Sequence, residues 1–308
     1  SELELKVRVG FSEMVDEFYT FMPDIEEELN HYQEFFFDKI VYCCCDNPIY
    51  SNFYKYFKKN FNKLGLKQLI ASCNSFEEKE GICSIYDGHN ETLYNNINGN
   101  ICSSWFCSMI AQSDIIVTNP PFSKSKMLLN YLINADKKFI VIGNRNHLTS
   151  DLFFSFFMNG KIRLGYGFKN ATGHFFIPKS MYGHYSKDIT RNEINVVRFR
   201  NVVWYTNFDI EVPPKKRLYT KQYDAIWYQK YDNYDAINVD KISDIPVDYY
   251  GEMGVPITIL DGFDYNEFEI LGIDRTIKGN VSGKRFSING KNKYVRIIIK
   301  RKYANETI

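Results

Sequence analysis

Four consecutive residues, Asn119-Pro120-Pro121-Phe122, offer the clearest chemistry in the chain, and they directly follow the β-forming run "DIIVT" at 114–118. The two prolines cannot continue a central strand, and each has a fixed φ angle and no N–H group. The stiff loop that they form therefore offers mostly acceptors, namely the side-chain oxygen of Asn119 and the carbonyl oxygen of Pro120. Phe122 adds a flat aromatic face beside these two oxygens.

This set of groups matches an exocyclic amine on a heteroaromatic ring, such as N6 of adenine. Two acceptors would hold the two N–H bonds and make the nitrogen more tetrahedral, which releases its lone pair for attack on an electrophilic methyl group. An adenine inside a duplex must first be turned out, which costs a few kcal/mol, and one base–aromatic stack returns ~1–3 kcal/mol. Phosphate contacts must then supply the net affinity. A plain turn after a strand is the alternative interpretation of the motif.

The elements that position this motif follow from hydrophobic patterns along the chain. Apolar runs predict strands at 39–45, 66–73, 114–118 and 137–143, and helical patterns predict helices at 50–65, 103–113 and 124–135. An earlier helix is predicted to begin with Thr20 as its cap and Pro23 in its first turn. The segment that contains Gly81, Gly88 and Gly99 is interpreted as a loop. This alternation predicts an α/β fold with a mostly parallel sheet covered by helices on both faces.

Later segments predict different elements. The β-rich stretches after residue 150 predict an antiparallel hairpin that closes the sheet, "VPPKKRLYTK" at 212–221 predicts a linker, and Asn289-Gly290 predicts a hairpin turn. In parallel sheets ligands bind at the carboxyl ends of the strands. Three strand ends are therefore expected to form one site: Cys45-Asp46-Asn47-Pro48, Cys73-Asn74, and Thr118 to Phe122.

Composition and charge limit the classes of function. The chain has 308 residues and a net charge of +1, yet Lys278 to Lys302 holds nine Lys or Arg and no acid, and Lys161 to Arg200 holds eight against two acids. This segregation favours a basic face, although a solvated surface explains either segment alone. Seven cysteines without a CxxC pair argue against zinc, and no metal site is predicted. Reduced thiols and the lack of a long apolar run predict a cytoplasmic protein without a membrane segment.

The chain resembles the EcoRI family of adenine-specific DNA methyltransferases from about residue 16 to its carboxyl end. The stretches that carry this resemblance are "DEFYT" (16–20), "VYCCCDNPIYSNF" (41–53), "LGLKQLIASC" (64–73), "DIIVTNPPFS" (114–123), "KKFIVIGN" (137–144), "NVVWYTNFDI" (201–210), "KYDNYDAINVDKISDIP" (230–246) and "GVPITILD" (254–261). The resemblance implies a Rossmann-like class I methyltransferase fold. It also implies methyl transfer from S-adenosyl-L-methionine to adenine N6 in double-stranded DNA.

The resemblance further implies roles for individual residues. The catalytic motif of the family corresponds to Asn119, Pro120, Pro121 and Phe122 in this chain. Asn119 is also expected to border the cofactor. The expected cofactor-binding residues lie in the amino-terminal motif and at the strand ends: Phe18, Tyr19, Thr20, Cys45, Asp46, Asn47, Ser51, Asn52, Cys73, Asn74, Asn100 and Ile101. Asp46 is expected to pair with the amino group of the cofactor, and the helix start at Ser51 and Asn52 to receive its carboxylate.

Two departures from the general methyltransferase pattern stand out. The glycine-rich cofactor loop is absent, because "CCCDNP" contains no glycine, and the family resembled also lacks it. Asn100 and Ile101 replace the acidic residue expected beside the adenine ring of the cofactor. A DNA-binding protein with a decayed cofactor site is therefore one alternative. Methyl transfer to RNA or another amine- or amide-bearing acceptor is a second alternative, because Asn-Pro-Pro-aromatic also serves such enzymes.

The expected organisation is a cofactor-binding catalytic domain at 1–210 and a carboxyl-terminal region at 211–308 that contributes to DNA recognition. A monomer is expected. A cognate restriction endonuclease, if one exists, would be encoded separately.

Overall fold

A computed structural model describes residues 18–74, 81–168, 172–176 and 196–303. The strands are β1 Tyr19–Thr20, β2 Ile40–Cys43, β3 Gln68–Cys73, β4 Gly81–Tyr86, β5 Glu91–Ile97, β6 Ile115–Thr118, β7 Lys138–Asn144, β8 Arg163–Leu164, β9 Thr172–Phe176, β10 Val196–Arg200, β11 Val202–Thr206, β12 Ile237–Asn238, β13 Glu252–Val255, β14 Phe268–Ile273, β15 Ser287–Ile288, β16 Lys291–Asn292 and β17 Ile297–Arg301. The α-helices are α1 Met22–Leu29, α2 Asn52–Lys59, α3 Phe61–Leu64, α4 Ser104–Gln112, α5 Phe122–Asn134 and α6 Asp151–Met158. Short 3-10 helices cover Asn30–Phe36, Arg145–Thr149, Ile242–Asp244 and Ile257–Leu260.

A sheet of eight strands carries the motif, in the order β5-β4-β3-β2-β6-β7-β11-β8. Its centre, β3-β2-β6-β7, is parallel, as the alternation of strand and helix predicts. These strands consist of apolar and β-branched residues, and β6 is buried along its whole length. The predicted strands at 39–45, 66–73, 114–118 and 137–143 are therefore confirmed, with small differences at their ends.

The sheet is mixed, and the prediction of a mostly parallel sheet is wrong in detail. The four outer pairings, β5-β4, β4-β3, β7-β11 and β11-β8, are antiparallel. The pairing of β11 with β7 is the predicted antiparallel closure after residue 150. At the other edge the segment interpreted as a loop forms the β4–β5 hairpin, turned at Asp87, whose carboxylate accepts from the N–H groups of His89 and Asn90.

Local residue chemistry explains where the helices begin and end. The hydroxyl of Ser51 accepts from the N–H of Phe53 and so caps α2. Gly65 ends α3 in the left-handed region at φ 63°, and a Cβ there would lie 2.6 Å from the ring of Phe37. The predicted cap of the first helix is wrong, because the N-cap of α1 is Phe21 and Thr20 belongs to β1.

A second, three-stranded sheet has the order β1-β9-β10 and is antiparallel. It pairs Tyr19 with Phe176 and Thr20 with Phe175. This pairing fixes the amino-terminal motif as an extended strand. Within the predicted basic segment at 161–200, residues 169–171 and 177–195 lie outside the described residues.

The chain divides into two compact units. The first contains the described residues up to Arg145 and from Gly160 to Ile210, and the second contains Asn146–Asn159 and the described residues from Glu211 onward. The second unit has a four-stranded sheet, β12-β13-β17-β14, and the β15–β16 hairpin. The hairpin turns at Asn289 and Gly290, which adopt φ angles of 50° and 73°, so this predicted turn is confirmed.

Two further observations concern the whole described chain. All seven cysteines are free, and Cys43, Cys44, Cys73 and Cys83 are buried. Within the described residues, every helix is too short or too polar to span a bilayer.

Candidate active site

The side-chain amide of Asn119 is held in one orientation by the amino-terminal strand. Its Nδ2 donates to the carbonyl oxygen of Phe18 at 2.9 Å and to Oγ1 of Thr20 at 3.2 Å. Its Oδ1 is buried and has no hydrogen-bond partner among the described residues. The carbonyl of Phe18 can only accept, so the reversed amide would set two acceptors against each other. Asn119 therefore presents an unpaired acceptor, which costs roughly 1–3 kcal/mol when it stays buried.

Asp46 ties the ends of β2 and β6 together. Its Oδ1 accepts from the hydroxyl of Ser51 at 2.8 Å, and its Oδ2 accepts from Oγ1 of Thr118 at 2.5 Å. It also accepts from the backbone N–H of Asn119. Thr118 in turn accepts from the N–H of Cys45 at 3.0 Å. Both carboxylate oxygens are therefore engaged within the protein, and Asp46 fixes the backbone of Asn119.

Burial changes the acidity of this carboxyl group. Asp46 is only 7% exposed, and burial raises its pKa to about 6, although the hydrogen bonds from Thr118, Ser51 and the N–H of Asn119 oppose the shift. The loss of hydration thus outweighs the three hydrogen bonds in setting the pKa. Near neutral pH the group is mostly ionised and accepts all three hydrogen bonds.

The loop after β2 is built from its own side chains. Oδ1 of Asn47 accepts from the N–H of Ile49 at 2.8 Å, which forms a turn that leads into α2. Asn52, the first residue of α2, donates through Nδ2 to the carbonyl of Thr20 at 2.8 Å. The loop exposes Ile49 and Tyr50 to solvent, at 54% and 60%.

Phe122 is the first residue of α5 and lies in a cluster of four aromatic rings. Phe18 stacks on it with ring centres 5.4 Å apart and 29° between the planes. Phe175 and Phe199 contact it edge-on at 5.9 and 5.1 Å. Pro120 is buried, whereas Pro121 and Phe122 are half-buried. One face of Phe122 is thus already covered by Phe18.

The other predicted residues of the amino-terminal motif differ in environment. Phe18 and Thr20 are buried, and Tyr19 is half-buried. Tyr19 contacts Tyr50 edge-on, with ring centres 6.5 Å apart. Tyr19 is therefore the aromatic residue of this motif that borders the exposed loop.

The end of β3 meets the loop before α4. Asn74 accepts through Oδ1 from the N–H of Gly99 at 2.8 Å, and a Cβ on Gly99 would lie 3.0 Å from that oxygen. This contact brings Cys73 and Asn74 beside the loop that holds Asn100 and Ile101. Asn100 is exposed, and its carbonyl accepts from the N–H of Ser103.

All of the predicted residues thus lie in the first unit. The N–H of Asp46 donates to the carbonyl of Ser72 at 2.9 Å, which links β2 to β3. Thr118 belongs to the strand end that the sequence predicts for the site, and its contact with Asp46 agrees with that prediction. The sequence did not indicate Ser72, Phe175 and Phe199, and the two phenylalanines come from distant strands. Among the described residues, no group of three or more His, Cys, Asp or Glu side chains is arranged to hold a metal ion.

Comparison with known proteins places this site in a family. The sequence profile described as "Adenine-specific methyltransferase EcoRI" matches residues 11–98 and 78–302. The chain is 42% identical to Type II methyltransferase M.EcoRI of Escherichia coli over 93% of each protein. It is 33% identical to M.MgeORF184P of Mycoplasma genitalium and 30% identical to M.MpnI of Mycoplasma pneumoniae, both named Type II methyltransferases, over 93% of this chain and 95% of each relative.

A search of the solved structures gave no significant match. The family profile covers most of the chain, and the relatives match it over almost its full length. The chain belongs to the EcoRI family of adenine-specific DNA methyltransferases.

Proposed function

We propose that this protein transfers the methyl group of S-adenosyl-L-methionine to N6 of an adenine turned out of duplex DNA, and that Asn119 and Phe122 contact that base. The observation that carries the proposal is the buried, unpaired Oδ1 of Asn119. A buried acceptor without a donor is rare in proteins. An amino group of the substrate supplies the missing donor.

The orientation of Asn119 decides what it can do. Both hydrogens of Nδ2 already bind Phe18 and Thr20, so only the oxygen faces a ligand. The carbonyl of Pro121 accepts from the N–H of Lys124 at 2.9 Å inside the first turn of α5. The carbonyl of Pro120, one residue earlier, is the second acceptor for the amine. Two acceptors on one amine make the nitrogen more tetrahedral and its lone pair more available.

Phe122 supplies the stacking surface. A base stacked on an aromatic ring gains ~1–3 kcal/mol. Because Phe18 already covers one face at 5.4 Å, the base takes the other face or displaces Phe18. The burial of Asn119, 8% exposed, means that a side chain at the rim moves when the base enters.

The strand ends fit a sulfonium-bearing nucleoside. When bound, the cofactor supplies an electrophilic methyl group on a sulfonium. Tyr19 and the exposed Tyr50 offer aromatic faces suited to a cation. The remaining residues proposed to hold it are Phe18, Thr20, Cys45, Asp46, Asn47, Ser51, Asn52, Cys73, Asn74, Asn100, Ile101 and Asn119. Of these, Asp46, Ser51, Asn52 and Thr20 act mainly as the wall of the site, since their side chains bind other parts of the protein.

The proposal extends to the fold and the partners. The parallel centre β3-β2-β6-β7, with β11 antiparallel beside β7, supports a Rossmann-like class I arrangement. We assign catalysis to residues 1–210 and a share of DNA recognition to 211–308. The Type II names of the relatives support a role in restriction–modification, with the endonuclease on a separate chain. The enzyme is proposed to act as a monomer in the cytoplasm.

The test is transfer of a labelled methyl group to duplex DNA. Asn119→Ala and Phe122→Ala should each lose most of the rate, since each removes a contact made to the reacting base. Asn134→Ala is the matched control and should keep the rate, because Asn134 is exposed at the carboxyl end of α5, the helix that begins at Phe122. Wild-type rates in folded Asn119→Ala protein would refute the assigned chemistry.

Calorimetry separates the rival explanations. The wild type and Phe122→Ala should both bind S-adenosyl-L-methionine, because Phe122 is proposed to contact the base and is not among the residues proposed to hold the cofactor. No heat from the wild type would indicate a decayed cofactor site. Efficient competition by structured RNA against duplex DNA would indicate an RNA substrate.

A further inference from the structure

The nine basic residues between Lys278 and Lys302 fall into two groups in the structure. Several are engaged with neighbouring groups of the second unit. Lys293 and Arg296 pair with Asp240 at 3.2 and 2.6 Å. Arg301 pairs with Glu267, and Lys302 donates to the carbonyl of Tyr265 at 2.6 Å. Lys300 is half-buried on β17.

The other four lie together on residues 278–291, here called the basic loop. Lys278, Lys284, Arg285 and Lys291 are exposed. None of their side chains forms an ion pair or hydrogen bond with the described residues. Burial raises the pKa of Asp274, and the positive charge of Arg285 opposes this shift without forming an ion pair with Asp274. No Asp or Glu occurs within the loop itself, so its own residues carry only positive charge.

The basic loop is held in one conformation by buried amide contacts. Asn280, only 8% exposed, donates through Nδ2 to the carbonyls of Asp274 and Lys284 at 2.6 and 2.8 Å. Its Oδ1 accepts from the hydroxyl of Ser282 at 2.6 Å. Asn233 donates to the carbonyl of Arg285 at 3.1 Å. The backbone on both sides of Val281 is therefore fixed, and Val281 itself is fully exposed.

The second half of the loop is fixed by a carboxylate. Asp232 accepts from the hydroxyl of Ser287 at 2.9 Å and from the N–H groups of Asn289 and Gly290 at 3.1 and 2.9 Å. These bonds lower the pKa of Asp232 and set the turn of the β15–β16 hairpin, which carries Lys291. Four cations without a partner among the described residues thus project from an ordered backbone, and little backbone conformational entropy is lost when a ligand binds them.

We propose that the basic loop binds the phosphate backbone of duplex DNA, with Lys278, Lys284, Arg285 and Lys291 each neutralising a phosphate. The inference rests on the proposed function for its ligand. A polyanion with regularly spaced charges is complementary to several fixed cations that have no partner in the described chain. The paired residues Arg296 and Arg301 take no part, because their charges are already satisfied within the unit.

The salt dependence of DNA binding tests the proposal. Variant one replaces Lys278, Lys284, Arg285 and Lys291 by Gln. Variant two replaces four exposed lysines of the first unit by Gln, Lys39, Lys59, Lys63 and Lys67, and changes the net charge by the same amount. Duplex affinity is measured by fluorescence anisotropy between about 50 and 200 mM salt.

Each lost phosphate contact should reduce the slope of log K against log salt by about 0.9, so variant one should lose roughly 3–4 in total. Variant two should keep the wild-type slope. An unchanged slope in variant one, or an equal loss in variant two, would overturn the proposal. Each single substitution should reduce the slope by about 1. A wild-type melting temperature in the same variants would show that the reduced slope does not come from a folding defect.

The outcome is independent of the transfer chemistry. Asn119→Ala should keep the wild-type salt slope while it loses methyl transfer. If transfer depends on Asn119 but variant one keeps its slope, only the basic loop assignment fails. If the salt slope of DNA binding falls in variant one while Asn119→Ala transfers methyl groups at the wild-type rate, only the catalytic assignment fails.

Discussion

The side-chain nitrogen of Asn119 donates to the main-chain oxygen of Phe18 at 2.9 Å, and this bond decides which end of the amide faces a substrate. The two residues are 101 positions apart in sequence. The residue that directly precedes β1 therefore orients a side chain of the Asn-Pro-Pro-Phe motif. The carbonyl of Phe18 orients the side-chain amide of Asn119, because this carbonyl accepts a hydrogen bond and cannot donate one.

Thr20→Val should lower kcat by about 2- to 10-fold, because it removes one of the two acceptors that hold the amide of Asn119, a bond of about 0.5–1.5 kcal/mol. Valine matches threonine in shape, so the fold should persist. The KM for DNA should not change, since Thr20 makes no contact with the base in the proposed arrangement. Thr20→Ser restores the hydroxyl and should restore the rate. Equal rates for Val and Ser at this position would show that the bond does not matter.

Asp46→Asn should lower the free energy of unfolding by about 1–3 kcal/mol and reduce single-turnover transfer. Three donors point at this carboxylate, from Ser51, Thr118 and the N–H of Asn119. An asparagine amide replaces one acceptor with a donor, and two donors then face each other. Asp114→Asn is the matched control, because Asp114 is exposed and accepts a single N–H, from Ile40 at 2.7 Å. Chemical denaturation and rapid-quench transfer measure the two effects, and wild-type values for Asp46→Asn would contradict the assigned role.

The contribution of Asp46 and Glu28 to the free energy of unfolding should fall as pH rises from about 4 to about 7. Burial raises the pKa of Asp46 to about 6 and that of Glu28 to about 7, from ordinary values of 3.8 and 4.5. In this window the folded protein binds more protons than the unfolded chain, so the free energy of unfolding decreases with pH. Each tenfold difference between the folded and unfolded acid dissociation constants contributes about 1.4 kcal/mol. The contribution is fully present below the unfolded pKa values and is lost above the folded ones.

Denaturant titrations at several pH values measure this dependence. Asp46→Asn should remove the part between about 4 and 6 and leave the part that ends near 7, which belongs to Glu28. Glu28→Gln should remove the part of the pH dependence that ends near 7 and leave the part that belongs to Asp46. Glu28 accepts from the N–H groups of Tyr166 and Gly167, so its variant also reports on that loop. If both variants kept the wild-type pH dependence of stability, the assignment would be refuted.

Arg301→Gln should destabilise the second unit by roughly 1–3 kcal/mol and leave the salt slope of DNA binding unchanged. Its guanidinium pairs with Glu267, donates to the carbonyl of Pro246 at 3.0 Å, and lies 4.6 Å from the ring of Phe268. The expected loss of stability therefore comes from contacts within the second unit and not from contacts with DNA. Thermal melting and anisotropy titrations measure the two quantities, and a reduced slope with normal stability would place Arg301 on DNA instead.

The sequence predicted the parallel centre of the sheet because its strands are runs of apolar, β-branched residues separated by helical patterns. It did not predict the β4–β5 hairpin, although Asp87-Gly88 is a hairpin signal, because β5 is exposed along nearly its whole length and shows no alternation. The helix α6 was missed for the opposite reason, since "DLFFSFFM" is apolar on most sides and shows no period.

The site was predictable where chemistry is local and unpredictable where it depends on pairing. Asn119 and Phe122 follow from the motif itself. The environment of Asn119 depends on Phe18 and Thr20, and that of Phe122 on Phe175 and Phe199, and no local pattern connects these residues. Likewise, charge counting found the basic segment at 278–302 but could not separate the internally paired arginines from the four exposed cations.

In the proposed arrangement, the fixed oxygen of Asn119 would distinguish the four bases by the polarity of one atom. Guanine and thymine carry a keto oxygen where adenine carries its amine, and two facing oxygens repel. Cytosine presents an amine as adenine does, so ring size and the aromatic walls must exclude it. After reaction the nitrogen keeps a single hydrogen, so one of its two acceptors loses its partner and the modified base is held less tightly than the original.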